Sequence, residues 1–417
     1  MQQAGRALKA DSVLSGTVRK MGAGFRVSVQ LVRVADGASY WGESYDVATE
    51  ELPGIENRIT VKVTSALGIR MTAAETARVH RRHIEDAAAY EAYLRGRAHL
   101  VRATEEGMAA AVQAFEEALR LDPSYALAYA GLSMASAEMH LRFAPAPEVH
   151  AWGERAKRDA QRALALDANL PEVHQALAAV YGKTEFEWER VIEESRRALE
   201  LNPRLELPYS HLGRAFYHLG LLELADKEVR TALALDPENR TEPVRARGIV
   251  ALLAGRFAEA VPLLEEVQRM SGKALSDYHL AQAYYYNGET TRAEAVLEEL
   301  SHSSSASASA RARSTLASFL AARGERSRAA DLVRELTAGD YMDHHVAYSL
   351  GAASAQLGRP REAVVWLRRA AETGFPCHPW YARDPLLGPL RGRPEFEHLL
   401  QELERAQRAA QDRHAQR

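Results

Sequence analysis

The stretch Arg204–Asn239, RLELPYSHLGRAFYHLGLLELADKEVRTALALDPEN, decides the fold. Two amphipathic runs, Leu207–Leu219 and Leu222–Leu235, flank Gly220, and the second closes in Leu235-Asp236-Pro237. Tyr209, Leu212 and Phe216 recur at three and four residues and so share one helical face. Ala225, Val229 and Ala232 do the same on the second run. Small residues such as Gly213 and Ala225 let two antiparallel helices approach closely, and Pro237 cannot continue the helical ladder. One such hairpin cannot bury both of its apolar faces alone, so it needs neighbours of its own kind.

Those neighbours are present on both sides. Gly220, Gly255, Gly288, Gly324 and Gly358 end successive first helices at steps of 35, 33, 36 and 34 residues, each followed five residues later by Ala225, Ala260, Ala293, Ala329 or Ala363. Upstream, the repeat ends Leu121-Asp122-Pro123, Leu166-Asp167-Ala168, Leu201-Asn202-Pro203 and Leu235-Asp236-Pro237 are spaced by 45, 35 and 34. A period near 34 with two helices per period resembles the tetratricopeptide repeat, over about eight repeats from 87 to 380. Phe143-Ala144-Pro145-Ala146-Pro147 accounts for the 45-residue step and is expected to bulge from one edge. Trp188 resembles the tryptophan turn of arrays fused to bacterial cyclases and regulators, and should plug the space between adjacent hairpins. Ser301–Ser309 reads as a polar linker with loose packing. YARDPLLGPLRGRPEFEHLL, after Trp380, is similar to the closing segment of the same arrays, so 381–417 is expected to cap the last hairpin and end in a fraying charged helix.

Before the array the period is two. Val13–Lys20 and Phe25–Val34 alternate as strands joined by Met21-Gly22-Ala23-Gly24, and Asp36-Gly37 leads into a third, Ser39–Tyr45. Leu52, Ile55, Ile59, Val63 and Leu67 then lie on one face of a helix that Gly68 ends. The run GTVRKMGAGFRVSVQLVRVADGASYWGESYD resembles the second half of the TolB-N-terminal-like α/β module, which precedes repeat arrays in bacterial cyclases, kinases and winged-helix regulators. Residues 1–70 are thus expected to be a partial α/β module, the chain being either a truncated gene product or a region cut from a longer one. Residues 71–86 read as a connecting helix. Within it His80-Arg81-Arg82-His83 offers two imidazoles, but the arginines between them repel a cation and no third ligand is indicated. The fold class is mostly α: a tetratricopeptide α-solenoid preceded by a small α+β module.

Composition narrows the function. The 417 residues are 47% hydrophobic and 26% charged with a formal net charge of −3, which argues against nucleic-acid binding through bulk electrostatics. The one cysteine, Cys377, excludes an internal disulfide and a Cys-based zinc site. Cys377-His378 is flanked by Pro376 and Pro379 and reads as a turn rather than a nucleophile pair. No apolar run approaches the roughly 20 residues of a membrane helix, and no signal-peptide core opens the chain, so the default placement is cytoplasmic, with an extracytoplasmic one if the chain is part of a membrane-anchored regulator. No phosphate-binding loop, kinase loop or nucleophile elbow is present, and no enzyme activity, cofactor or metal is expected.

The tetratricopeptide resemblance implies a right-handed superhelix whose first helices line a concave groove for a protein or peptide partner. Its groove positions carry over to Arg214 and Tyr217, Arg245, Tyr278, Gln282, Tyr285, Tyr286 and Tyr348. Rings and guanidinium groups interleaved in this way suit an extended peptide, while rings at helical spacing equally describe packing between repeats. Two functions fit this pattern: a non-catalytic interaction scaffold, or the sensory arm of a cyclase, kinase or transcriptional regulator.

Overall fold

The computed structural model describes residues 2–7, 10–22, 24–48, 51–72, 76, 86–271 and 278–414. The 71–86 connecting helix, including His80 and His83, lies almost wholly outside them. Two compact units are present: residues up to Gly96 with Gln113–Ala128, and Arg97–Val112 with everything from Tyr129 onward.

In the first unit, β1 (Ser12–Met21), β2 (Gly24–Arg33) and β3 (Ser39–Ala48) form an antiparallel sheet in the order β1-β2-β3, with a bulge at Leu31/Val32. Alternation puts Val27, Val29, Tyr45 and Val47 on one face, closed by Ile55 of the helix Leu52–Ala66. Gly68, at φ +68°, ends that helix as expected. The core is thin: Leu14 and Val18 of edge strand β1 remain 45% and 64% exposed. Tyr93, 5.0 Å from Tyr125 between ring centroids, makes a second small core.

Among the described residues, helices pair as eight hairpins from Ala87–Leu100 with Glu105–Leu121 through to His344–Gln356 with Pro360–Glu372. The five aligned glycines all adopt left-handed φ, between +75° and +96°. At each, two amide donors close the helix end, as with Leu221 N to Phe216 O and Gly220 N to Tyr217 O. A side chain at these positions would be strained, which is why the period shows as glycine. Ala225, Ala260, Ala293, Ala329 and Ala363 are 0% exposed. A Cβ on Gly213 would come within 2.4 Å of Val229 Cγ2, and one on Gly351 within 2.7 Å of Leu367 Cγ, so the absent atoms set the helix spacing.

Three expectations need correction. Phe143–Pro147 does not bulge outward: the helix Ala126–Glu138 runs on as a π turn, Met139–Phe143, and Phe143 and Ala144 are buried. Ser301–Ser309 is not a loose linker. Ser305 caps the helix Ala306–Arg323, and Ser307, buried, donates its hydroxyl to Leu141 O at 2.5 Å. Ser309 returns to Ser301 O at 2.7 Å. Hydroxyls satisfied in this way behave as packing groups. The last helix, Pro394–His414, does not fray over its described length: Leu403, Ala410 and His414 are buried, and Arg413 and His414 meet Glu189 at 2.7 and 3.0 Å.

Candidate functional site

The inner face of the second unit is built by first helices and by the chain beyond the last hairpin. The C-terminal segment turns back along the glycine ends of earlier hairpins. Trp188 Nε1–H donates to Gly374 O at 2.6 Å, Gln407 to Gly220 O at 2.9 Å, and Arg383 to Leu253 O at 3.1 Å. Trp188 therefore anchors this returning segment rather than plugging adjacent hairpins alone. Asp384, fully buried, accepts from Tyr286 and Tyr348 hydroxyls at 2.8 and 2.7 Å and from Leu386 N at 2.9 Å. Burial pushes its carboxyl above the ordinary range. The three donors satisfy it without ion pairing.

The eight groove positions fall into two groups. Tyr217, Tyr278 and Tyr348 are buried, whereas Arg214, Arg245, Gln282, Tyr285 and Tyr286 are partly exposed. Tyr285 stacks on Phe319 with centroids 3.6 Å apart, and Tyr286 meets Trp380 edge-on. For the tyrosines the contacts observed are thus packing contacts.

Next to this filled region lies a histidine cluster. His218, His344 and His345 have ring nitrogens within 4.8 Å of one another, and two of them, His218 Nε2 and His345 Nε2, stand 3.4 Å apart. His218 Nδ1 donates to Arg214 O at 2.8 Å, which leaves Nε2 with its lone pair. Burial first, then the His344 imidazole and a neighbouring arginine, lowers His218 and His345; burial, opposed by Asp343 and helped by Arg311 and Arg214, lowers His344 to about 3. The spacing suits two ligands of one tetrahedral ion. Arg214 and Arg311, whose fields lower His344, oppose a divalent cation there, and Asp343 is already committed to Arg311.

Beyond the histidines the inner face opens into a cavity of about 380 Å³ lined by Arg142, Arg214, Arg245, Arg311, Tyr278 and Ser305, among others. Arg142 pairs with Glu138 at 2.8 Å and Glu242 at 2.6 Å; Arg245 reaches Glu242 at 3.8 Å; Arg311 grips Asp343 at 2.6 and 2.7 Å. Lys183 binds Glu138 from behind. Burial opposes ionisation of Glu138 and Glu242, yet the adjoining cations outweigh it, holding Glu242 at about 2 and Glu138 lower still. Arg214 has no such partner: among the described residues its side chain makes no ion pair, and its buried Nε has no hydrogen bond. Burial is the main cause of its lowering; Tyr217 opposes it next, and the fields of Arg245 and Arg142 follow on the lowering side, with Glu242 opposing them.

Of this cavity, sequence reasoning marked Arg214, Arg245 and Tyr278 and missed Arg142, Arg311 and Ser305. A signal existed. Arg245, Tyr278 and Tyr348 each stand ten residues before their glycine, and Glu242, Arg311 and His345 thirteen before, one helical turn away on the same face. Arg142 sits in the π turn, outside any repeat register. Cys377 is buried, its thiol pushed up to about 12, so it presents no thiolate.

The tetratricopeptide repeat family profile matches residues 251–308. TPR repeat-containing protein YvcD of Bacillus subtilis (strain 168) is 28% identical over 259 residues, which is 53% of this chain and 51% of that protein. Putative adenylate cyclase 3 of Rhizobium meliloti (strain 1021) is 25% identical over 205 residues, 48% of this chain and 33% of that protein. The chain spans about a third to a half of the length of these curated relatives. Among solved structures, the APC/C hetero-tetramer Cut9-Hcn1 superposes with a TM-score of 0.51 at 12% identity, covering 85% of this chain and 63% of that one, a likeness of fold alone. Among the described residues no helix is long and apolar enough to cross a membrane. The fold is a tetratricopeptide-repeat α-solenoid, preceded along the chain by a small antiparallel sheet.

Proposed function

We propose that this tetratricopeptide-repeat solenoid is a non-catalytic scaffold that takes a protein or peptide partner on its inner face. The observation that supports this reading is the run of eight hairpins, since arrays of this kind generally serve as protein-binding scaffolds. Of the groove positions, Gln282 and Tyr285 are the contacts best placed for a partner, being partly exposed and clear of the arginine-lined cavity. Tyr286 is held by Asp384, and Tyr217, Tyr278 and Tyr348 form the floor beneath. Replacing Gln282 and Tyr285 together with Ala should weaken binding of a purified partner at least tenfold while the circular-dichroism helix signal stays constant. Undiminished binding would place the contact surface elsewhere.

A second reading is favoured by the likeness to the longer putative adenylate cyclase: the chain is the regulatory arm of a larger signalling protein. Sequencing the coding region upstream tests it. A cyclase, kinase or winged-helix segment in the same frame is the expected finding; an in-frame stop immediately upstream overturns it.

A further inference from the structure

We infer that the arginine-lined cavity of the second unit is a binding site for a small organic phosphate, a phosphomonoester dianion. The site is independent of the partner surface proposed above. Inside the rim, Arg142, Arg214, Arg245 and Arg311, with Lys183 behind the wall, stand against Glu138, Glu242 and Asp343, a local surplus of two positive charges that the exposed Glu105 and Glu106 at the mouth offset only across solvent. A buried charge without a partner is expensive, and removing a partner from a buried pair typically costs several kcal/mol. Arg214 bears part of that cost: its side chain is partly exposed where it lines the cavity, and its buried Nε has no acceptor. A dianion would neutralise the surplus and give Arg214 its acceptor.

Donor geometry separates phosphate from a carboxylate. Arginines reach the cavity from four separate elements: the π turn Met139–Phe143 and the helices Leu207–His218, Thr241–Leu253 and Ala306–Arg323. The last begins at its Ser305 cap on the cavity wall, so its positive helix end adds to the field. Donors converging from several directions match a tetrahedral oxyanion better than the planar fork a carboxylate offers. Leu141, Phe143 and Leu300 also line the space, which gives the ester's organic part an apolar wall. About 380 Å³ is at the small end of ligand pockets. Glu105 and Glu106 stand exposed on the rim. Their carboxylates repel an extended phosphate chain, so the rim selects a compact ligand over RNA or DNA.

Calorimetric titration of the full chain at fixed ionic strength tests this, with inorganic phosphate, phenyl phosphate, succinate and a 5′-phosphorylated single-stranded oligoribonucleotide as probes. The expected result is saturable one-site binding of phosphate, at least threefold tighter binding of phenyl phosphate, and succinate at least tenfold weaker than phosphate. The oligonucleotide should bind no tighter than phenyl phosphate. Arg214→Met and Arg245→Gln, each confirmed folded by circular dichroism, should each weaken phosphate at least tenfold. If Arg214→Met does not fold, Arg245→Gln carries the comparison alone. The inference is overturned by the absence of saturable phosphate binding to the wild type, by unchanged affinity in the folded variants, or by tighter binding of succinate or the oligonucleotide.

Discussion

Two regions of the same inner face treat buried polar groups in opposite ways. Around Asp384 the C-terminal segment returns and leaves each carboxylate oxygen with a donor: Tyr286 and Leu386 on one, Tyr348 on the other. Around Arg214, inside the rim that Glu105 and Glu106 form, cations outnumber carboxylates, and Arg214 is left without an ion pair among the described residues. Both regions are built largely from first helices of the same kind of repeat. What separates them is the returning segment. Where it lies, the array is closed by its own chain and behaves as a core; where it does not, the repeat leaves room and unbalanced charge, which is the signature of a place for something else.

The sharpest way to break the contrast is to empty the filled side. Trp380 is 2% exposed and meets Tyr286 edge-on at 5.2 Å. Trp380→Ala should lower unfolding free energy by about 3–5 kcal/mol, since a large buried side chain is replaced by a cavity. The denaturant midpoint reports it. A loss under about 1 kcal/mol would mean the segment is not part of the core.

Asp384→Ala comes next. It strands two tyrosyl hydroxyls and the Leu386 amide, a loss of about 2–3 kcal/mol by the usual cost of unsatisfied buried donors. Equal stability of the variant would show that the hydroxyls turn to other acceptors and that the bonds at 2.7 and 2.8 Å hold nothing in place.

Much of this region could be read from sequence, and the reason is chemical. Gly220, Gly255, Gly288, Gly324 and Gly358 announce themselves because a left-handed helix end excludes other residues. Ala225 and its counterparts do so because helices touch there. These constraints are local, and they repeat. Long-range constraints leave no such trace. Nothing in Ser301–Ser309 shows that Ser307 will meet Leu141, a partner 166 residues away. Alternating charges in Glu402–Arg413 likewise conceal a buried His414 against Glu189. Arg214 and Arg245 were visible as inward positions, but their surplus of charge depends on Arg142 and Arg311, which only the folded stack brings to one cavity.

The histidines between the two regions give a pH signature. His344 titrates at about 3 in the folded chain, through burial first and then the fields of Arg311 and Arg214 against that of Asp343, and at about 6.5 when unfolded. The unfolded chain therefore takes up a proton that the folded one refuses. Stability is complete above pH 6.5 and falls on acidification toward about pH 3, by about 1.4 kcal/mol per pH unit for this one group. His344→Leu, between Phe186 and Phe375, should make the decline between pH 6.5 and 5 shallower by about that slope. Parallel pH profiles for variant and wild type would assign the acid sensitivity to other groups, such as His211, which is also held at about 3.

The smallest effect is nil or of the opposite sign, and it bears most directly on the contrast. Every substitution on the filled side removes something satisfied, so each must destabilise. Arg214 makes no ion pair among the described residues and its Nε has no acceptor, and its charge stands in the fields of Arg142 and Arg245 against those of Tyr217 and Glu242. Methionine keeps most of the stem's packing and discards the charge. Without phosphate, Arg214→Met should therefore leave stability unchanged or raise it, by at most about 1 kcal/mol, because replacing a partly buried cation that lacks an ion pair by an apolar side chain is neutral to favourable. Thermal unfolding in chloride buffer measures it. A loss of 1 kcal/mol or more would show that Arg214 is held by the protein after all, and the two regions would no longer differ in kind.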